Sequence, residues 1–266
     1  MNNKLTEILE HKKREVELAK ERLPFAMLID HLATLSQTAA FADVLRSHEN
    51  GEVTCIAEIK KASPTKGVIS KSFNVEKIAR EYRQGGAAAL SVLTDMKYFQ
   101  GHNDFVGSAK GASHLPILRK DFIVDEYQIY ESRLIGADAL LLIVAALTDH
   151  QLRSYLTTAE DLTLSALVEC HSKEEIERAV QAGATILGIN NRDLQTFTVN
   201  VNLSLQLKNF IPNDCIAVSE SGVRNFHTVE ALAQAGFDAI LVGEHLMLQV
   251  DKAKALKELL GKRIEA

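Results

Sequence analysis

The sequence predicts an α/β fold, a single (β/α)8 (TIM) barrel behind an N-terminal helical extension, on three observations. Four segments share one grammar, a helix tail ending in glycine, then a small or apolar residue, then an apolar strand: Gly86–Leu93, Gly136–Ile143, Gly183–Ile189 and Gly236–Gly243. Glycine suits that place because helix C-termini commonly need a left-handed residue. The four glycines stand 50, 47 and 53 residues apart, the length of two strand–helix units. Strands of a second type alternate with them: Thr54–Lys60, Leu115–Lys120, Thr163–Glu169 and Cys215–Glu220. Eight strands in about 210 residues, each with a helical stretch behind it, fit a closed barrel. No G-x-G-x-x-G fingerprint is present, and an open doubly wound sheet would have fewer strands.

Taken in order, residues 1–50 form the extension and 54–262 the barrel, within one domain spanning 1–266. Leu5, Ile8, Leu9, Val16 and Leu23 recur at roughly helical spacing among many charges. Pro24, Ser36-Gln37-Thr38 and Glu49-Asn50-Gly51 punctuate the segment, which is too short to bury a core of its own. Lys12-Lys13-Arg14 lie among glutamates and read as a solvated helix face. In the third strand Pro116 can begin the run, and Ile117 and Leu118 lead into Arg119, Lys120 and Asp121. Asp125 with Gln128 reads as a capping box opening a helix over Tyr127–Ile135; Thr148 with Gln151 and Ser172 with Glu175 open two more.

Composition excludes several classes of function. The chain has 266 residues, 46% hydrophobic and 24% charged, enough for one large core. A formal net charge of -5 argues against a nucleic-acid partner. The charged N-terminus lacks the apolar core of a signal peptide, and the longest apolar run, Ala139–Leu147, is too short to span a bilayer. Cys55, Cys170 and Cys215 are an odd number, each in or beside an apolar strand, so buried reduced thiols and a cytoplasmic location are expected. None of the nine histidines forms an H-x-H or H-E-x-x-H pattern, and no metal site is expected. No extended apolar patch, charged tail or heptad run suggests a macromolecular partner, and a monomer is expected.

Chemistry in such barrels concentrates where strands end. Thr54, Ile56, Glu58 and Lys60 share one face of the first strand, so an inward face brings a carboxylate and an ammonium to the barrel's top. The other ends carry Thr94 and Asp95, Lys120, Glu169, Asn190 with Arg192, and Glu220-Ser221-Gly222, while the fourth strand is apolar through Val144. Buried charges without a task are costly, which favours a site over ion pairs that merely close the mouth. For Asp95 and Asp121 a purely structural ion pair is at least an equal reading. Ser221-Gly222 and Gly243-Glu244-His245, after the last two strands, are where such barrels place a phosphate cradle of backbone N–H groups. Cys170 faces away from Glu169 and reads as packing.

These residues resemble the indole-3-glycerol phosphate synthase family over essentially the whole chain. The motifs are Ile56-Ala57-Glu58-Ile59-Lys60-Lys61-Ala62-Ser63-Pro64, Val92-Leu93-Thr94-Asp95 with Tyr98-Phe99, Lys120-Asp121-Phe122-Ile123, and Leu167-Val168-Glu169. Gly188-Ile189-Asn190-Asn191-Arg192-Asp193-Leu194 and Ser219-Glu220-Ser221-Gly222-Val223 complete the set. The resemblance implies ring closure, decarboxylation and dehydration of 1-(2-carboxyphenylamino)-1-deoxyribulose 5-phosphate, without cofactor or metal. It implies Lys120 as the acid, its pKa tuned toward the working pH, and Glu58 and Glu169 as positioning and proton-shuttling carboxylates. Lys60, Arg192 and Asn190 match residues that bind substrate or complete the catalytic set. Ser63 and Glu220 match substrate-binding positions; Ser221, Gly222, Gly243 and Glu244 match the phosphate cradle. Phe99, Phe122, Leu141 and Ile143 would wall the anthranilate ring, with plain packing an even alternative for the last two.

His245 stands where many relatives carry a small hydroxyl residue, and Ala62 where a larger polar one is frequent. Two rivals are a phosphoribosylanthranilate isomerase, which needs a cysteine at the end of the first strand where this chain has Glu58 and Lys60, and a barrel that binds a phosphorylated metabolite without catalysis.

Overall fold

Eight parallel strands close on themselves in the computed structural model, which describes residues 4–32, 35, 37–46, 52–70, 72–193, 196 and 198–262. The strands are β1 (Thr54–Ile59), β2 (Ala89–Leu93), β3 (Ile117–Lys120), β4 (Ala139–Ile143), β5 (Ser165–Cys170), β6 (Ile186–Asn190), β7 (Ile216–Glu220) and β8 (Ala239–Val242). Each pairs with its sequence neighbours, and β1 closes the ring on β8 through Ile56 opposite Leu241. A helix follows every strand, as the sequence predicts. All four repeat glycines are left-handed, with φ of 90°, 89°, 98° and 86° at Gly86, Gly136, Gly183 and Gly236.

Alternation along the strands separates two apolar layers. Inward residues such as Ile56, Leu118, Leu141, Leu167, Val218 and Leu241 fill the barrel. Outward neighbours such as Cys55, Leu90, Leu140, Cys170 and Ile240 pack beneath the helices. Cys55 and Cys170 are buried and Cys215 is half-buried, and all three thiols are free.

The extension supplies three helices, α1 (Lys4–Arg22), α2 (Phe25–Leu32) and α3 (Phe41–Leu45). Phe41 and Leu45 of α3 join the interior cluster, and the Leu45 carbonyl accepts the Thr54 hydroxyl at 3.2 Å, so α3 plugs the amino end of the barrel. Val16 of α1 and Leu28 of α2 pack with Val124 and Tyr127 beside the helix Tyr127–Leu134. Of the expected punctuation, Ser36 and Glu49–Gly51 lie outside the described residues, as does Leu194.

One expectation is overturned here. Lys12 is not on a solvated face: it is 4% exposed, and its Nζ lies 2.9 Å from Asp95, 2.9 Å from Asp121 and 2.6 Å from Glu15. The reason is charge balance, because Asp95 and Asp121 are buried at the ends of β2 and β3 and need cations. Arg119 supplies the other, 3.5 Å from Asp121 and 2.6 Å from Glu131. Burial pulls the Lys12 pKa down, Asp121 and Asp95 push it up, and the net shift is upward. The two aspartates therefore pin α1 to the carboxyl end of the barrel.

Caps also depart from expectation in detail. Thr148 and Gln151 form the full reciprocal box. Gln128 accepts the Asp125 N–H as expected, but Asp125 caps Tyr127, two residues on, and the helix ends at Leu134. Glu175 reaches back to the His171 N–H and not to that of Ser172. Replacing Lys12 with alanine should lower the unfolding free energy by about 3 kcal/mol, since buried carboxylates lose a cation. Urea denaturation measures this, and adding Asp95→Asn and Asp121→Asn should recover part of it; a loss under ~1 kcal/mol would assign the docking of α1 to apolar contacts.

Candidate active site

The carboxyl ends of the strands open into one cavity of about 160 Å³. Every site residue expected from the sequence lines it except Ser63. Loop residues Ala62–Ser63 pair with Gly67–Val68 in a short antiparallel ribbon, where the Ser63 hydroxyl accepts the Lys66 N–H at 3.3 Å. Pro64 touches the cavity instead.

At the floor, charges interlock. Lys120 Nζ lies 2.9 Å from Glu169 Oε2 and 3.3 Å from Glu220 Oε2, while the Lys60 ammonium meets Glu58. Glu58, Glu169 and Glu220 are all buried. Two glycines make room for them: a Cβ on Gly188 of β6 would sit 2.2 Å from Glu220 Oε1, and one on Gly243 would sit 2.2 Å from Glu58 Oε1. A side chain at either position would displace a carboxylate from the cluster.

The electrostatics of Lys120 run opposite to the expected tuning. Burial pulls its pKa down, but Glu169, Glu220 and Glu58 outweigh burial and raise it, so it stays an ammonium. Burial raises Glu169, yet Lys120 and His171, with a hydrogen bond from Asn190, bring it below its ordinary value. Glu220 goes the other way: burial, opposed by Lys120 and reinforced by Glu169, pushes it up to about 7. Among the described residues its Oε1 has no hydrogen-bond partner. One carboxyl of the cluster thus takes up or gives a proton near neutrality while its neighbour stays ionised.

Leu141 and Ile143 of β4 with Phe99 and Phe122, whose rings lie 6.2 Å apart, form the apolar wall, and Leu5 and Ile8 of α1 join it. Opposite stand Ser221 (φ 67°) and Gly222 (φ 86°) after β7 and Gly243 after β8. Among the described residues no backbone carbonyl takes the N–H of Gly222, Val223, Gly243 or Glu244. The Glu244 carboxylate gathers Lys66 at 2.8 Å, Arg192 at 3.4 Å and Arg224 at 3.8 Å. Its own charge repels an anion, so what it can offer a phosphate is its N–H. Burial and Arg224 lower the pKa of His245, which leaves that ring neutral.

Sequence reasoning missed Lys66, Arg224, Leu5, Ile8 and Gly188. The buried Asp95 and Asp121, carboxylates in need of a cation, were the one signal that could have placed α1 at the mouth. Cys55 sits at the start of β1 facing the helices, its thiol pushed up to about 12 by burial, so a cysteine-based isomerase has no nucleophile here.

A family model described as indole-3-glycerol phosphate synthase matches residues 5–259. The chain belongs to the indole-3-glycerol phosphate synthase family. It is 50% identical over 247 residues to the indole-3-glycerol phosphate synthase of Chlorobium chlorochromatii (strain CaD3), covering 93% of this chain and 96% of that one. It is 45% identical over 261 residues to the enzyme of that name from Legionella pneumophila (strain Paris), covering 98% and 99%. Among solved structures, a 3-hexulose-6-phosphate synthase superposes with a TM-score of 0.64 at 14% identity, covering 79% of this chain and 99% of that one, which attests the fold.

The Glu220 carboxyl gives this site a stability signature. A carboxyl whose folded pKa lies near 7, above the unfolded value of about 4.3, favours folding below the unfolded value and loses that contribution as pH rises through 7. Wild type should therefore lose stability relative to Glu220→Gln between about pH 4.5 and 8, by roughly 1–3 kcal/mol. Chemical denaturation at a series of pH values reads the difference, and a pH-independent difference would mean that Glu220 titrates like an exposed carboxyl.

Proposed function

We propose that this cavity closes the indole ring with Lys120 as its acid, the carrying observation being the Lys120 ammonium clasped between Glu169 and Glu220. The family reaction takes 1-(2-carboxyphenylamino)-1-deoxyribulose 5-phosphate to indole-3-glycerol phosphate in tryptophan biosynthesis. The aromatic carbon bearing the carboxylate bonds to the ketone carbon, and Lys120 delivers a proton to the ketone oxygen. Because Lys120 is held charged, it is an acid always loaded with its proton and a fixed positive charge for the developing alkoxide. Carbon dioxide then leaves, and its bonding electrons restore the aromatic ring.

Dehydration needs an acid for the departing hydroxyl and a base for the proton on the neighbouring carbon. Glu169, kept ionised, is the base; Glu220, the carboxyl that titrates near neutrality, is suited to protonate the hydroxyl. Glu58 holds Lys60 in place, and Asn190 orients Glu169. Lys60 and Arg192 serve the substrate's anionic groups. The phosphate lies against Ser221, Gly222, Gly243 and the Glu244 N–H, with Ser63 on the ribbon above. Phe99, Phe122, Leu141 and Ile143 hold the anthranilate ring where its carboxylate is away from water, which favours decarboxylation. The proposed proton transfers draw only on side chains, so we read the enzyme as metal-independent; we also read it as a monomer, and its free thiols fit a reducing cytoplasm.

Indole fluorescence on mixing protein with substrate, without added metal, tests the reading. Lys120→Met should lower kcat by at least about 10²-fold while substrate still binds. A mutant as fast as wild type would remove Lys120 from the acid's role; a wild type that binds without turnover would make this a metabolite-binding barrel.

A further inference from the structure

Consecutive residues at a strand end face opposite sides, and behind Asn190 stands a side chain that the mechanism leaves unused. Asn191 is 2% exposed. Its amide nitrogen lies 3.1 Å from Ser219 Oγ, 2.9 Å from the Glu220 carbonyl and 3.0 Å from the Ser221 carbonyl, its two hydrogens shared among the three acceptors. Its amide oxygen accepts the Ser204 N–H at 3.0 Å and the Ser204 hydroxyl at 2.9 Å. The Asn191 backbone N–H also donates to the Glu220 carbonyl at 2.9 Å. Turning the amide over would set an NH2 group against the Ser204 N–H, so only one orientation satisfies the network.

The segment held in this way is strained. Ser221 carries a Cβ yet has φ 67°, and Gly222 follows at 86°. A left-handed residue with a side chain persists where its surroundings over-determine it, and such residues gather at ligand clamps. The loop after β6 presses on the same turn: a Cβ on Gly222 would meet Val199 at 2.6 Å and Val201 at 2.7 Å. Ser221, Gly222 and Val223 line the cavity, and no backbone carbonyl among the described residues takes the N–H of the last two.

We propose that Asn191 is a positioning residue for phosphate. By tying down the Glu220 and Ser221 carbonyls it keeps the Ser221–Gly222 turn in the left-handed form that offers its backbone N–H groups to the ligand. The inference rests on reading this end of the cavity as the phosphate site.

Inorganic phosphate, used as a competitive inhibitor beside the full substrate, separates the two. Asn191→Ala should raise the Ki of phosphate and the KM of substrate together, by roughly tenfold, with kcat changed much less. Ser204→Ala, which removes one restraint on the amide, should shift both in the same direction by less, and it carries the test if Asn191→Ala fails to fold. Adding Ser221→Gly to either variant should recover phosphate affinity, since glycine holds the left-handed form without help. An unchanged Ki in these variants, or a Ser221→Gly effect identical with and without Asn191, would overturn the proposal and leave Asn191 a purely structural residue. Wild type that phosphate fails to inhibit competitively would overturn the phosphate reading itself, and this inference with it.

Discussion

Buried charge must be balanced, and that constraint organises this barrel at two levels. At the cavity floor Lys60 and Lys120 face Glu58, Glu169 and Glu220, two cations against three carboxylates. Burial, with Glu169 alongside, outweighs Lys120 at Glu220 and pushes it up to about 7, whereas Lys120, His171 and the Asn190 hydrogen bond outweigh burial at Glu169. The groups must also fit, and the space comes from Gly188 and Gly243, where a single Cβ would evict a carboxylate. The buried charge cluster therefore depends on two missing side chains as well as on the five titratable ones.

The same constraint acts one layer out. Asp95 and Asp121 are buried beside the mouth and draw Lys12 down from α1 and Arg119 across from β3. Once Lys12 is seated, Leu5 and Ile8 of the same helix stand against the cavity. Electrostatics thus fixes where an otherwise ordinary amphipathic helix docks, and the docking supplies part of the apolar wall. The extension forms part of the cavity's enclosure through an ion pair with Asp121, which itself lines the cavity.

This division also explains what could be read from sequence. Period-2 alternation and the glycine spacing depend on local backbone geometry, so the barrel, its eight strands and the inward side chains at their ends were legible. Lys12 was misread because its two buried aspartate partners lie more than 80 positions away in the chain, and a lysine among glutamates on a helix looks solvated until the far carboxylates are known. Gly188 was quoted only as part of a motif, since its significance depends on Glu220, on the neighbouring strand. The sign of the Lys120 shift was likewise out of reach: burial and opposing charges act in opposite directions, and only the distances decide between them.

Alternation has a further consequence at strand ends, where a residue that enters the cavity and one that packs behind it stand side by side in sequence. Glu169 enters the cavity while Cys170 packs outward, and Glu58 does so while Ile59 packs outward. In those pairs the outward member is apolar and contributes packing. At the end of β6 both members are asparagines, and the outward one turns its amide nitrogen to the end of β7 and the turn after it and its amide oxygen to Ser204. Polar contact there replaces hydrophobic packing because the segment to be held is a strained turn whose carbonyls the amide can grip. An apolar residue at position 191 could fill the volume, but it could not fix the direction in which those carbonyls, and hence the adjoining N–H groups, point.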